Sequence, residues 1–236
     1  MSVLSEEKLS QLGSSFNLCV QGYHLINSDP IKESVWESIN AQVLVASGIQ
    51  VSEQSNGSHS SGSDISCAIG NLSNKSAKYE DSSRASFSIS SYRLSSVCSA
   101  ANCGTIPEIV AEIDKRKNFE YYSVIVREEA SMEYHYTWYL IPGDYAPLNP
   151  HSYEWVPSVG KRGANKGKQI GWETNIISGS SMKISFSMSS QLWMHLAITE
   201  DMSQFVVGRA TAPSQKRYNY IELFGMLSKS DEKESL

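Results

Sequence analysis

SGSDISCAIGNLSNKSAKYE, residues 61–80, is the stretch from which the fold of this chain is predicted. Asp64 begins a short run of alternating apolar and polar residues, and a second such run carries Lys75. Alternation on both sides of a glycine predicts a β-hairpin, with strands over 64–69 and 72–79. Such a hairpin sets an aspartate on one strand and a lysine on the next. The alternative is a surface hairpin with ordinary charges.

The turn of this hairpin is expected at Gly70 and Asn71. Because the side chains of a strand point alternately to opposite faces, Ser73 and Lys75 would share one face and Lys78 would point to the other. The parity of the strand therefore favours Lys75 over Lys78 as the functional lysine, with both kept as candidates.

Length and composition set the class of protein. Of the 236 residues, 40% are hydrophobic and 19% are charged, which is typical of a globular protein with a sizeable core. No apolar run reaches the length of about 18 residues that a membrane span needs, and the first residues, MSVLSEEKLSQLG, lack the pattern of a secretory signal. We therefore expect one cytoplasmic domain over 1–236, with no membrane partner and with reduced cysteines. The net charge of −5 disfavours a basic coat for nonspecific nucleic-acid binding but allows a local basic cleft.

Two helices are predicted upstream of the hairpin. A short one is expected over 3–12 and a more regular one over 30–47. In the second helix Pro30 suits the first turn, and Ser28 or Asp29 suits the cap. Its apolar residues recur every four positions: Ile31, Val35, Ile39 and Val43.

The elements that follow the hairpin are mostly strands. A helix capped by Thr105 is expected over 105–118. Two strands are expected to pair as a hairpin through Ala130 and Ser131. The predicted strands cover 49–53, 84–97, 119–130, 132–143 and 181–198, the last as one long or two short strands.

The regular periodicity stops over 144–175. This segment holds VGKRGANKGKQIGW, a basic stretch punctuated by glycine that contains no acidic residue. Its four cations are Lys161, Arg162, Lys166 and Lys168. The stretch predicts contacts to phosphate groups, with a disordered basic loop as the alternative. A polar tail closes the chain from about 228.

Asp64 and a strand lysine are residue types that phosphodiester cleavage uses. Cutting at neutral pH requires a divalent metal that holds the phosphate and acidifies water, with a base or cation near the attacking water. Mg²⁺ prefers carboxylate and carbonyl oxygens, so one aspartate with one further acidic or polar ligand meets its needs. The five histidines are scattered without zinc spacing, and only His59 lies near Asp64 in the sequence.

This arrangement resembles the PD-(D/E)xK nucleases, in particular the type II restriction endonucleases. Their pattern is an acidic helix, a strand with an aspartate, a turn and a strand that reads (D/E)-x-K. The chain offers Glu33 and Glu37 on the predicted helix, Asp64, and the triplet SNK at 73–75. The phrases DISCAIGNLSNKSAK and ISSYRL are also similar to sequences of restriction enzymes. The order of elements over 30–117 matches the core of the family.

The resemblance implies an α/β fold with a restriction-endonuclease-like central mixed β-sheet flanked by α-helices. It implies a catalytic core over about 30–142 and DNA-recognition elements over about 143–220. It also implies that Asp64 binds Mg²⁺ and that Lys75 orients or deprotonates the attacking water. A homodimer is implied as well, because such enzymes generally cut palindromic sites in double-stranded DNA as twofold dimers.

The chain departs from the family at the second acidic position. Ser73 stands there, or Ser76 if the register uses the later lysine. By the resemblance, the missing metal contact would come from Glu37 or Glu33, or from the main-chain carbonyl of Asn74.

The residues expected to bind DNA lie mostly in the second half of the chain. Asn165 and Gln169 could read adenine edges, and Gln191, Arg84 and Arg93 are weaker candidates. Phosphate contacts would come from Lys161, Arg162, Lys166 and Lys168. The expected function is Mg²⁺-dependent restriction of double-stranded DNA. The alternatives are a repair or structure-specific nuclease of the same fold and a β-rich binding protein without catalysis.

Overall fold

The computed structural model of the chain describes residues 4–54, 62–187 and 189–226. His59 and the polar tail expected from about 228 lie outside these described residues. The helices are α1 (Glu6–Ile26), α2 (Glu33–Ala46), α3 (Ile106–Arg116) and α4 (Glu200–Ser203). The strands are β1 (Val51–Gln54), β2 (Ile65–Cys67), β3 (Gly70–Lys78), β4 (Ser86–Arg93), β5 (Tyr121–Glu129), β6 (Glu133–Pro142), β7 (Trp155–Val159), β8 (Gln169–Thr174), β9 (Ser181–Ser185), β10 (Gln191–Ala197) and β11 (Val206–Pro213).

The strands form two sheets. The mixed sheet has six strands in the order β1-β2-β3-β5-β6-β11, in which β3 and β5 are parallel and the other neighbours are antiparallel. The antiparallel sheet has five strands in the order β4-β10-β9-β8-β7. Sequence periodicity did not predict that the strands would divide into two sheets.

The mixed sheet is covered on both faces. On one face, Leu12 of α1 and Trp36 of α2 belong to the same buried cluster as Ile125 and Trp138 of the sheet. On the other face, Val124 of the sheet belongs to a cluster with the antiparallel sheet and α3. Strand β5 carries buried apolar residues on both of its faces, because it lies between these two cores. The protein is thus a mixed α/β structure with a mixed central sheet flanked by helices.

Helix α1 is longer than the expected helix over 3–12. It continues to Ile26 because Leu12, Phe16 and Val20 repeat every four residues and are all fully buried. The spacing of these residues was therefore a helix signal that the sequence analysis missed.

Helix α2 begins later than expected. Its N-cap is Lys32, without a side-chain capping bond, so neither Ser28 nor Asp29 caps it and Pro30 precedes it. The acidic residue in its first turn is Glu33, which favours the helix dipole there.

The central hairpin has its turn two residues before the expected place. Ala68 and Ile69 form the turn, and Gly70 already begins β3 with a φ of 120°. A non-glycine residue is strained at such a φ, which explains why glycine stands at the strand end rather than inside the turn. Strand β2 is consequently shorter than its partner.

The second half of the chain contains confirmed and corrected expectations. The hairpin of β5 and β6 is confirmed, and so is the cap of α3, where Thr105 and Glu108 form a capping box. Residues 144–175 were wrongly expected to be irregular, since they contain β7 and β8. Residues 181–198 form two strands, and β11 was not predicted. Within the described ranges, we find no helix with the length and apolar character of a membrane span.

Candidate functional site

The candidate site lies at an open edge of β3. Strand β2 pairs with β3 only through Leu72, whereas β5 accompanies β3 on the other side as far as Lys78. Among the described residues, the next pairing on the β2 side is an isolated bridge at Tyr79. On this side of β3, the backbone N–H and C=O groups after Leu72 therefore bond to side chains instead of to a neighbouring strand.

Asp64 occupies the first position along this edge. Its main-chain N–H donates to the carbonyl oxygen of Leu72 at 2.8 Å, which continues the ladder beyond β2. Its carboxylate oxygen Oδ2 accepts the main-chain N–H of Asn74 at 2.5 Å. The hydroxyl of Ser73 lies 3.5 Å from the same oxygen, too far for a strong bond. Asp64 is thus fixed by the backbone of the strand that carries the candidate lysine.

The segment that leads into Asp64 is tightly packed. A Cβ atom at Gly62 would lie 2.4 Å from the carbonyl oxygen of Arg116, so only glycine fits there without a shift. Arg116 ends α3 and donates through Nη1 to the carbonyl oxygen of Arg93 at 2.8 Å. The position of Asp64 therefore depends on α3 and on the end of β4.

Lys75 is the cation of the site. Its Nζ donates to the carbonyl oxygen of Asn74 at 2.8 Å and forms an ion pair with Oε1 of Glu33 at 3.0 Å. The lysine side chain is only 11% exposed, whereas that of Glu33 is 42% exposed. Burial alone would lower the pKa of Lys75, but attraction to Glu33 and Asp64 outweighs burial and raises it. Lys75 is consequently an ammonium ion at neutral pH.

The site contains more negative than positive charge. Burial raises the pKa of Asp64, and Lys75 with the N–H of Asn74 only partly offsets it. Burial also raises the pKa of Glu37, one turn after Glu33 on α2, and repulsion from Asp64 and Glu33 adds to it. Three carboxylates and one ammonium have a formal charge of −2 when all are ionised. A second cation would relieve this repulsion.

The donor chemistry fits a magnesium ion. Mg²⁺ needs only one or two carboxylates and keeps several waters. Asp64 Oδ1 and the Glu37 carboxylate make no hydrogen bond within the described part of the chain, and the main-chain carbonyl of Asn74 faces the same edge. Within residues 4–54, 62–187 and 189–226, no three acidic, histidine or cysteine side chains form a group that could hold a metal by themselves. An ion here would therefore retain much of its water.

The chain has no match among family models, curated proteins or solved structures. The resemblance to PD-(D/E)xK nucleases consequently depends on the residues of the chain itself.

The structure separates the two candidate lysines. Lys78 is exposed and forms an ion pair with Glu129 at 3.0 Å, away from Asp64. The hydroxyl of Ser76 donates to the carbonyl oxygen of Ile31 on the helix side of the sheet. The register through Ser73 and Lys75 is therefore the one that reaches the site.

A buried polar network behind the site was not predicted. Asn40 of α2 donates from Nδ2 to Oδ1 of Asn74 at 2.6 Å and to the hydroxyl of Ser123 at 2.9 Å. The indole N–H groups of Trp36 and Trp138 also donate to Ser123. Asn40, Asn74 and Ser123 are fully buried, and Asn40 Oδ1 and Asn74 Nδ2 have no hydrogen-bond partner among the described residues. The sequence signal for this network was Asn40, a polar residue among the apolar residues that α2 buries.

Among the candidate DNA-binding residues, Arg84 lies apart from the others. It precedes β4 and pairs with Glu128. Gln169 and Gln191 lie in strands, and their Nε2 atoms donate to main-chain carbonyls of Gly171 and Ser91. The exposed residues of the β7–β8 connection are Lys161, Arg162, Asn165, Lys166 and Lys168. Arg93 ends β4.

Proposed function

We propose that this protein is a Mg²⁺-dependent type II restriction endonuclease that hydrolyses phosphodiester bonds at a specific sequence in double-stranded DNA. The supporting observation is the convergence of Asp64, Glu33, Glu37 and Lys75 at the open edge of β3. These residues come from three separate segments. An ordinary surface hairpin does not need them to meet in a half-buried position.

In this proposal, Asp64 and the main-chain carbonyl of Asn74 would hold Mg²⁺ together with Glu37 or Glu33. Such an ion would supply positive charge to the phosphate and would lower the pKa of a water molecule. Because Lys75 already interacts with Glu33 and with the carbonyl of Asn74, it offsets the repulsion among the carboxylates.

The charges assign different roles to Lys75 and Glu37. The raised pKa of Lys75 keeps its proton, so the ammonium orients the attacking water and stabilises charge in the transition state rather than accepting a proton. If Glu33 completes the metal site, Glu37 is left free, and its raised pKa brings its carboxylate closer to the range of a general base. Ser73 contributes a neutral hydroxyl where the family has a carboxylate, so Glu37 and Glu33 carry the missing charge.

The experiment is plasmid cleavage with Mg²⁺, using wild-type protein, Asp64→Asn and the matched pair Lys75→Met and Lys78→Met. We expect discrete fragments from wild type and from Lys78→Met. Loss of Asp64 or Lys75 should lower the cleavage rate by at least about 100-fold, as removal of one preorganised charge typically does.

Three results would contradict the proposal. Uncut plasmid would favour the binding protein, and nicks confined to branched or damaged DNA would favour a repair nuclease. Equal losses in the two lysine variants would show that Lys75 has no special role.

A further inference from the structure

One end of the antiparallel sheet gathers the strand termini that carry most of the candidate DNA-binding residues. Arg93 of β4 pairs with Gln191 of β10, and Gln191 pairs with Ser185 of β9. Ser185 pairs with Gly171 of β8. The first residue of β8, Gln169, pairs with Val159, the last residue of β7. The ends of five strands, and the β7–β8 connection, therefore lie along one rim of the sheet. We call this rim the basic end.

The β7–β8 connection is an ordered projection. Gly160 donates its N–H to the carbonyl of Lys168 at 2.9 Å and accepts from the N–H of Gly167 at 2.9 Å. Gly163 and Gly167 have φ values of 64° and 76°, a conformation that favours glycine. The connection thus has a defined turn conformation that carries its cations away from the strands.

The charges on this projection have no counter-ions. Lys161, Arg162, Lys166 and Lys168 are all exposed, and residues 155–172 contain no acid. None of the four forms an ion pair with a described residue. In a chain with a net charge of −5, this is a local reversal of sign.

The opposite end of the same sheet is electrically different. Arg84 there pairs with Glu128, and nearby Lys78 pairs with Glu129. Both of these cations are paired with acids. Of the two ends of the sheet, the basic end is therefore the one where described cations lack acidic partners.

The basic end is connected to the candidate active site. The carbonyl of Arg93 accepts from Arg116, whose own carbonyl packs against Gly62 just before Asp64. Four steps between neighbouring strands separate β4 from β7, which is about 19 Å at roughly 4.8 Å per step. A duplex carries one negative charge per about 1.7 Å with both strands counted, so a length equal to this rim carries roughly 11 phosphates, more than the four cations need.

We propose that the basic end is the surface that binds double-stranded DNA, with the β7–β8 hairpin placed against a groove and its phosphate rims. A two-stranded ribbon fits the major groove, which is about 12 Å wide. The four cations contact phosphates, and the exposed amide of Asn165 is the one that faces base edges. Gln169 and Gln191 position the strands instead, because their amide groups already bond the sheet backbone. Only the link to cutting rests on the proposed function.

The test measures binding without cleavage. Fluorescence anisotropy of a 30-base-pair duplex in EDTA would be recorded over a range of KCl for wild type and for two charge-matched variants. Lys166→Gln/Lys168→Gln changes the basic end, and Arg209→Gln/Lys216→Gln makes the same change of net charge at exposed positions in β11 and just after it, outside the antiparallel sheet.

We expect the first variant to bind more weakly by at least about tenfold. The slope of log K against log salt should fall by about 0.9 for each lost phosphate contact, so by about 1.8 in total. The second variant should bind like wild type.

Equal weakening by both variants, or none by the first, would overturn the proposal. Because no metal is present, binding by the basic end with no cutting in Mg²⁺ would support this surface and contradict only the nuclease. Cutting with unchanged binding in the first variant would contradict only this surface.

Discussion

At the scale of single residues, the central feature is a carboxylate held in an unfavourable place. Asp64 is half-buried, and its environment as a whole favours the protonated form even though Lys75 and the N–H of Asn74 stabilise its charge. Groups kept in such positions destabilise the fold and are typical of functional sites. Asp64 is therefore expected to limit stability as well as to enable chemistry.

Replacing Asp64 by Asn should raise the melting temperature at pH 7. A folded-state pKa above the ordinary value of 3.8 means that the folded protein holds the proton more tightly, so stability falls as pH rises from about 4 through the raised pKa. The asparagine cannot ionise, and its advantage should disappear below about pH 4. A gain of about 1 kcal/mol corresponds to roughly 2–4 °C for a domain of this size.

Thermal denaturation followed by circular dichroism from pH 3.5 to 8 measures this difference. The exposed Asp144→Asn is the control and should melt like wild type throughout. A lower melting temperature for Asp64→Asn at pH 7 would mean that the ionised carboxylate stabilises the fold.

At the scale of elements, the site depends on how α2 lies against β3. Glu33, Glu37 and Asn40 are spaced by four and three residues, so they follow one face of the helix. Glu33 contacts Lys75 and Asn40 contacts Asn74, which ties the helix to two successive residues of the strand. Buried amides with unpaired atoms cost free energy, and apolar residues would pack there at lower cost. We therefore infer that the hydrogen bond between Asn40 and Asn74 serves to align α2 with β3.

Asn40→Leu should lower the free energy of unfolding by about 1–3 kcal/mol, because it leaves the buried Asn74 amide unpaired. The double variant Asn40→Leu/Asn74→Leu should regain most of this stability, since both polar partners are replaced. Its cleavage rate should nevertheless stay about tenfold or more below wild type, because Glu33 and Glu37 are no longer aligned. Urea denaturation and plasmid cleavage measure the two effects. A stable double variant that cuts at the wild-type rate would reduce the pair to a packing role.

At the scale of the whole molecule, the two proposed activities lie on different sheets. The mixed sheet carries the candidate catalytic edge, and the antiparallel sheet carries the basic end. Packing of the two sheets through a shared core fixes the distance between the candidate site and the basic end. Each chain has one such candidate edge among its described residues, so the proposed cutting of both DNA strands at a palindrome would need two chains.

We expect the protein to be a homodimer in solution or on DNA. Light scattering should give twice the chain mass, and mixed dimers of wild type with Asp64→Asn should release nicked circles, because only one strand is cut. A monomer on DNA that still makes double-strand breaks would contradict this expectation.

The sequence by itself determined the local parts of this protein. Alternation and turn residues predicted the hairpin of β5 and β6, Thr105 as a cap placed α3, and strand parity favoured Lys75 over Lys78. These features depend on residues close together in the chain, where backbone geometry and side-chain period act directly.

Only the tertiary structure decided how those parts meet. The choice of Glu33 as the partner of Lys75 depends on contact across 42 positions, and the contact between Asn40 and Asn74 spans 34. The assembly of β7 and β8 into a second sheet, whose rim gathers the cations, depends on pairing between distant strands. Periodicity does not encode such long-range packing, because burial against another element is settled only when both are in place. The stretch from 61 to 80 contains Asp64 and Lys75, and only the fold brings Glu33 of α2 into contact with Lys75.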